Sequence, residues 1–180
     1  MSDADTPGAV LRELVSAAVG DDAADSLAVE VVERGDDPGP AARLPALVTG
    51  AESVVGVLPR VDRGLARPVL GDGEGGGKEG EHLGDRDDGP TARLVFTGDA
   101  ADRFGGPGGA VIRSVLAGHG VEAYRHDGDS PVGVVLADEV ALVGLFDAAG
   151  LAALLWSDAP PVRTWAAETC RRYLAAADPA

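Results

Sequence analysis

Apolar and polar positions alternate along the chain in distinguishable ways, and each pattern predicts a different element. Near the amino end Val10, Leu11, Leu14, Val15, Ala18 and Val19 recur at the spacing of one face of an amphipathic helix. Pro7 stands ahead of this stripe and Gly20 behind it, where helix starts and stops tolerate them. Over 26–33, Leu27, Val29 and Val31 follow a two-residue period, which predicts a half-buried strand. The glycines and prolines of 35–40 then break the chain.

Further on the apolar runs are short and nearly continuous: 52–58 (ESVVGVL, closed by Pro59), 92–97 (ARLVFT), 121–125, 132–136, 140–146 and 151–156. Such runs predict buried strands, and the separators at 126–131, 137–139 and 147–150 carry tight-turn chemistry. Residues 61–70 predict a short helix interrupted by Pro68, and 110–117 a helix whose beginning is obscured by glycines 105, 106, 108 and 109. The last helix is predicted to start with Ser157 or Asp158 as N-cap, with Pro160 and Pro161 in its first turn and a stripe of Val162, Trp165, Ala166, Thr169, Tyr173 and Leu174. This order predicts an α/β fold, with α+β as the alternative: a mixed central sheet flanked by helices, the C-terminal helix packed on it. We read residues 1–180 as one domain with an insert.

That insert is 71–89, where eight glycines and seven acids among nineteen residues leave one large apolar residue, Leu83. It buries too little to offset its ordering entropy, so a mobile surface loop is expected. Its GDGEGGGK sequence does not fit a phosphate loop, since the required first glycine falls on Asp72 and Glu79 stands where Ser or Thr should bind magnesium.

Composition narrows the function classes. Thirty acids against fifteen bases give a net charge of −15, which excludes a simple nucleic-acid binder because no stretch offers a basic face. Lysine occurs once, at Lys78, against fourteen arginines, and aspartate outnumbers glutamate twenty to ten. Asp-rich, Lys-poor surfaces keep a protein hydrated in concentrated salt, so a halophilic source is expected; a GC-rich genome is the other explanation. Nothing approaches a membrane-spanning apolar run, and residues 1–6 hold two aspartates instead of a basic leader, so a cytoplasmic address without a membrane partner is expected.

Metal and nucleophile motifs are thin. The lone Cys170 excludes an internal disulfide and a multi-cysteine zinc site, and is expected to fill space in the core. His82, His119 and His126 lack ligand spacing, and no serine stands in a Gly-x-Ser-x-Gly elbow. We therefore expect no catalytic residue, no metal site and no cofactor. The strand-to-helix junctions are the better candidates, because they combine an apolar wall with helix N-terminal donors suited to a small polar or anionic ligand. They supply Thr97 and Asp99 at one junction, and Trp156, Ser157 and Asp158 at another. The alternative for Trp156 and Trp165 is that both anchor the last helix to the sheet.

Residues 92–178 resemble the effector half of haloarchaeal transcription regulators: the TrmB-like proteins and relatives with the methanogenesis-regulator middle domain. The likeness is carried by ARLVFTGD at 92–99, GVEAYRH at 120–126, VGVVLADEVALVGLFDAAGLAALLW at 132–156, and the helix with Trp165 and Tyr173; 44–70 carry it weakly. It implies a phospholipase D-like fold, whose His-x-Lys strand corresponds here to Ser130-Pro131-Val132-Gly133, leading to Ala137-Asp138-Glu139 and Val143-Gly144-Leu145. That chemistry needs the imidazole as nucleophile and the lysine to hold phosphate, so their absence implies a non-enzymatic domain for ligand sensing or dimerisation. Residues 1–40, with ten acids and two bases, are too short and acidic for the winged helix-turn-helix of complete regulators. The partners implied are a small-molecule effector, a second copy, or a DNA-binding regulator subunit. The alternatives are a metal-dependent hydrolase using Asp99, Asp138 and Asp158, and a protein-association module.

Overall fold

The computed structural model describes residues 6–20, 27–60 and 91–180. The helix expected at 61–70, the insert at 71–89 and the first residue of the strand expected at 26–33 lie outside them. In chain order the elements are α1 (Pro7–Val19), β1 (Glu30–Glu33), α2 (Pro40–Val48), β2 (Ser53–Leu58), β3 (Thr91–Phe96), α3 (Gly98–Gly105), α4 (Gly109–Gly118), β4 (Val121–Arg125), β5 (Val132–Ala137), β6 (Val140–Asp147), β7 (Gly150–Ser157), α5 (Pro160–Ala175) and β8 (Asp178–Pro179). The eight strands among the described residues form one mixed sheet in the order β1-β7-β6-β5-β2-β3-β4-β8. Strands β2, β3 and β4 run parallel, and β5, β6 and β7 follow as antiparallel neighbours joined by short turns. The expected α/β fold with a mixed sheet and a C-terminal helix on it is what the chain adopts.

Both faces of the sheet are covered, which is why the central strands read as continuous apolar runs. On one face Val57, Val95, Val134, Val143 and Leu155 meet Leu11 and Val15 of α1 and Val162, Ala166 and Cys170 of α5. On the other, Leu58, Leu94 and Phe96 pack under Ala100, Ala101 and Phe104 of α3 and Leu116 of α4. The rest of that second face, around Leu142, Leu151 and Leu154, is covered by Leu44 of α2. With 4% aromatic residues, the layers are filled by branched aliphatic side chains and alanine.

Two helices escape sequence reading. Helix α2 begins at a proline after the Gly39 N-cap and carries Pro45 inside, residues that normally end a helix. Helix α3, GDAADRFG, looks like loop until its buried residues are seen at Ala100, Ala101 and Phe104. The expected N-cap of the last helix also needs correction: the cap is Ala159, with no side-chain cap bond. Ser157 acts two residues earlier, its hydroxyl accepting the Ala159 N–H at 3.1 Å.

Leu155 is fully buried at the centre of the α1/α5 layer. Leu155→Ala should lower unfolding stability by about 3 kcal/mol, measured by denaturant titration in salt. Cys170 lies against the carbonyls of Val55 and Val134, each 3.8 Å from its Sγ, and burial pushes its thiol up to about 12. A thiol reagent at pH 8 should leave it unmodified in the native protein and react once denaturant unfolds the chain.

Candidate functional site

The carboxyl ends of β2 and β3 open into a cavity of about 300 Å³, lined by Pro59, Arg60, Gly98, Asp99, Asp102, Asp129, Ser130, Pro131 and Phe146. Each wall follows from where a strand stops. Strand β2 ends at Leu58 and delivers Pro59 and Arg60, while β3 ends at Phe96 and turns through Thr97 into α3. The Thr97 N–H donates to the Leu58 carbonyl at 3.1 Å and the Ala100 N–H to the Pro59 carbonyl at 3.2 Å, fastening the two ends together. The β4–β5 connection supplies Asp129, Ser130 and Pro131, and β6 supplies Phe146 near its end.

Gly98 is required by this arrangement. It has φ +49°, and a Cβ there would stand 2.6 Å from Oδ1 of Asp129. The same Oδ1 accepts the Ser130 N–H at 2.8 Å, and the Asp129 carbonyl accepts the Tyr173 hydroxyl of α5 at 3.3 Å. Thus the last helix on one face braces a wall of the cavity. The buried Ser130 hydroxyl donates to the Val132 carbonyl at 2.7 Å, so it is engaged by the backbone. His126 lies beside Tyr173, its ring centroid 4.9 Å away, and its Nδ1 accepts the Gly128 N–H at 2.8 Å.

The electrostatics of the lining are dominated by carboxylates. Arg60 is its one cation among the described residues, bonded to Asp99 at 3.2 Å and donating to the Asp147 carbonyl at 2.9 Å. Asp147 is in turn gripped by both terminal nitrogens of Arg34 at 2.8 Å each. The Arg34 hydrogen bond, helped by the Ala149 N–H, holds the Asp147 carboxyl below the usual carboxylate range, and the same pairing raises Arg34. All four side chains are substantially exposed, so these pairs orient groups more than they stabilise the fold.

The sequence-derived candidates divide between two ends of the sheet. Asp99 lines the cavity; Thr97, fully buried with no hydrogen-bond partner for its hydroxyl among the described residues, stands two residues before it. Trp156, Ser157 and Asp158 lie at the opposite end, because β7 is antiparallel to β6 and β6 runs in the direction of β2. Strand direction therefore keeps the two candidate junctions from sharing a pocket. At that far end Ser157 donates to the Ala28 carbonyl at 2.6 Å while accepting from Ala159, and Arg43 of α2 sits 5.3 Å over the Trp156 ring. The alternative metal set also fails to converge: Asp138 caps the Glu52 and Ser53 N–H groups at the start of β2, away from Asp99. No cluster of three or more metal-ligating side chains occurs among the described residues. Arg60, Asp102, Asp129 and Phe146 were not singled out in the sequence. Arg60 and Phe146 stand just past, or near, the end of a strand, while Asp102 lies on α3 and Asp129 in the β4–β5 connection, positions that become specific only once the strand order is known.

Gly98→Ala should destabilise the protein by about 1–2 kcal/mol through its left-handed backbone alone, with further loss from displacement of Asp129. Thermal melting beside that of Gly118→Ala, an exposed helical position with open space around it, checks this.

Comparison with known proteins places this geometry. The family profile for the middle domain of the methanogenesis regulatory protein FilR1 matches residues 83–176. The structure is similar to that of TrmBL2, an archaeal chromatin protein described as showing a novel mode of DNA binding, with TM-score 0.53 and 13% identity over 95% of this chain. The chain spans 60% of that protein's length. It is also similar to Nuc, a phospholipase D family member from Salmonella typhimurium, with TM-score 0.59 and 11% identity over 85% of this chain and 97% of the other. At these identities the structural likeness shows the fold, a phospholipase D-like one. No curated protein sequence matches.

Proposed function

The chain belongs to the FilR1 middle-domain family, and from that premise we propose that it is a non-enzymatic sensor domain of a transcription regulator, binding a small polar molecule in the cavity at the ends of β2 and β3. The observation that carries this reading is the lining itself: Asp99, Asp102 and Asp129 with Arg60 and the Phe146 ring. Ionised carboxylates only accept hydrogen bonds, so they suit a ligand bearing hydroxyl or ammonium groups. Phe146, Pro59 and Pro131 offer apolar wall, which gives such a ligand a face to lie on. A ligand donor that engages Asp99 competes with Arg60, so occupancy would be felt along the chain of contacts to Asp147 and Arg34.

The same lining supports binding over hydrolysis. Among the described residues it contains neither imidazole nor lysine, and its serine hydroxyl is held by the Val132 carbonyl. Phosphodiester cleavage of the phospholipase D kind would need groups that these residues do not provide. Contact with DNA falls to another chain or segment, since −15 of net charge opposes approach to a phosphate backbone.

The test is a thermal-shift and calorimetric screen in about 2 M KCl, chosen to screen self-repulsion, with polyols, amino acids, amines and organic acids. A hydroxyl- or ammonium-bearing compound should raise the melting temperature, and Asp99→Asn or Asp129→Asn should weaken its binding by about 10- to 100-fold, the worth of a charge-assisted hydrogen bond. Trp156→Ala should lower stability and leave that binding intact. A response unaffected by either asparagine substitution, one seen only with divalent cations at constant ionic strength, or turnover of a chromogenic phosphodiester would overturn the reading.

A further inference from the structure

A second hollow adjoins the cavity, with the Phe146 ring between them. It is a crevice of about 20 Å³ on the face of the sheet that α2 and α3 cover, and among the described residues Phe146 alone lines both. Its other described walls are aliphatic or glycine. The cause lies in the register: Gly133 of β5 stands opposite Gly144 of β6, so two adjacent positions of a buried sheet carry no side chain. A Cβ on Gly133 would stand 3.0 Å from Cε2 of Phe146, and one on Gly144 3.4 Å from the same atom, so the ring lies across the bare pair. Glycine inside a strand gives up packing and costs ordering entropy, and it marks places where another group comes close to the backbone. Leu44 of α2 flanks the crevice on one side and Leu58, which packs under α3, on the other; Val135 packs against both layers. The crevice is thus the seam where the two helix layers part. Phe146 is half-buried, one residue past the last pairing of β6 with β5 and beside an irregularity in its pairing with β7.

We propose that the ligand of the cavity is an aliphatic ammonium compound whose tail runs past Phe146 into this crevice, over Gly133 and Gly144. The inference rests on the reading of the cavity as a sensor site and adds the second half of its ligand. At the head, three carboxylates face one guanidinium, so the described lining carries net negative charge and favours a cation. At the tail no polar side chain lines the crevice among the described residues, so an apolar chain enters without stranding a hydrogen-bonding group. Turning the Phe146 ring off the glycine pair joins the two hollows, and the tail takes over the contacts that the ring gave up. An unbranched chain fits best, because the bare strip is only two strands wide. From Gly133 to Val135 is ~7 Å along the strand, room for a tail of about four to six carbons.

The experiment is calorimetry of the 180-residue chain in about 2 M KCl, with the n-alkylammonium series from ethyl to octyl. Affinity should rise about fourfold with each methylene until the tail meets Val135 and Leu142. Gly144→Ala sets a methyl in the path of the tail, where the nearest atom is the end of the flexible Leu151 side chain, and should flatten that rise. Phe146→Ala removes the partition and should carry the rise on to longer chains; melting curves show that both variants fold. Asp99→Asn should weaken every member by one common factor, which separates head from tail. Binding that depends on Asp99 but is flat in chain length overturns the inference and leaves the sensor reading standing. So does a rise that neither Gly144→Ala nor Phe146→Ala alters, since the tails then lie elsewhere. Silence of the whole series overturns the inference too, and takes the sensor reading with it when polyols, amino acids and organic acids are also silent.

Discussion

Leu155 in the middle of β7 has Val143 beside it on one neighbouring strand and Val31 on the other, and all three belong to the layer closed by α1 and α5. On the reverse of the same strands Leu142 and Leu154 meet α2 instead. The rest of the structure depends on this double burial, because a sheet covered on both faces removes apolar side chains from water along nearly every central residue. It also confines chemistry to the ends of the strands. Charged side chains have no place within the layers, so Arg60, Asp99 and Asp129 gather where β2, β3 and β5 meet solvent.

Double burial also explains what the sequence disclosed. Strands β5, β6 and β7 were legible because their residues are apolar on both sides and their connections are short. Helices α2 and α3 were not legible, for different physical reasons. Pro45 inside α2 and the prolines at 38 and 40 mimic a loop, yet the helix survives because Leu44 is packed into the sheet. Helix α3 has few apolar residues to display periodicity, and its core contribution comes from two alanines and Phe104. Of the site, Asp99 was legible as a residue past a strand end. Trp156, Ser157 and Asp158 looked equivalent because a single sequence gives strand ends without directions, and β7 points the other way from β3. The pairing partners that would have separated the two junctions lie far away in sequence, as Val54 opposite Ala137 does.

The acidity of the chain has two consequences of opposite sense. Around the cavity it concentrates acceptors, so that Arg60 is balanced by a neighbouring carboxylate, a second carboxylate's backbone carbonyl and further acids at Asp102 and Asp129. On the outer surface it sets a cost on every encounter with another acidic molecule, including DNA and a second copy. Membership of a regulator family and a charge of −15 are compatible when contact with DNA is made by a different segment or subunit.

The crossover from β3 to β4 joins these two regions physically. Its first helix, α3, lines the cavity with Gly98, Asp99 and Asp102, and its second, α4, carries Val111 and Val115 outward. Between them runs a short stretch dominated by glycine and proline, and the Arg113 guanidinium holds the end of α3 through the Phe104 carbonyl. Gly109 fits there because a Cβ would collide with the backbone of Phe104, so the two helices meet at a contact that admits no side chain. The position of α3 relative to α4 is therefore fixed by backbone contact at this point. Phe104 of α3 also packs on Phe96 of β3, ring centroids 4.7 Å apart and planes tilted by 43°, which ties α3 to the sheet. The cavity wall and the outward side of α4 are thus parts of one two-helix unit anchored to the sheet.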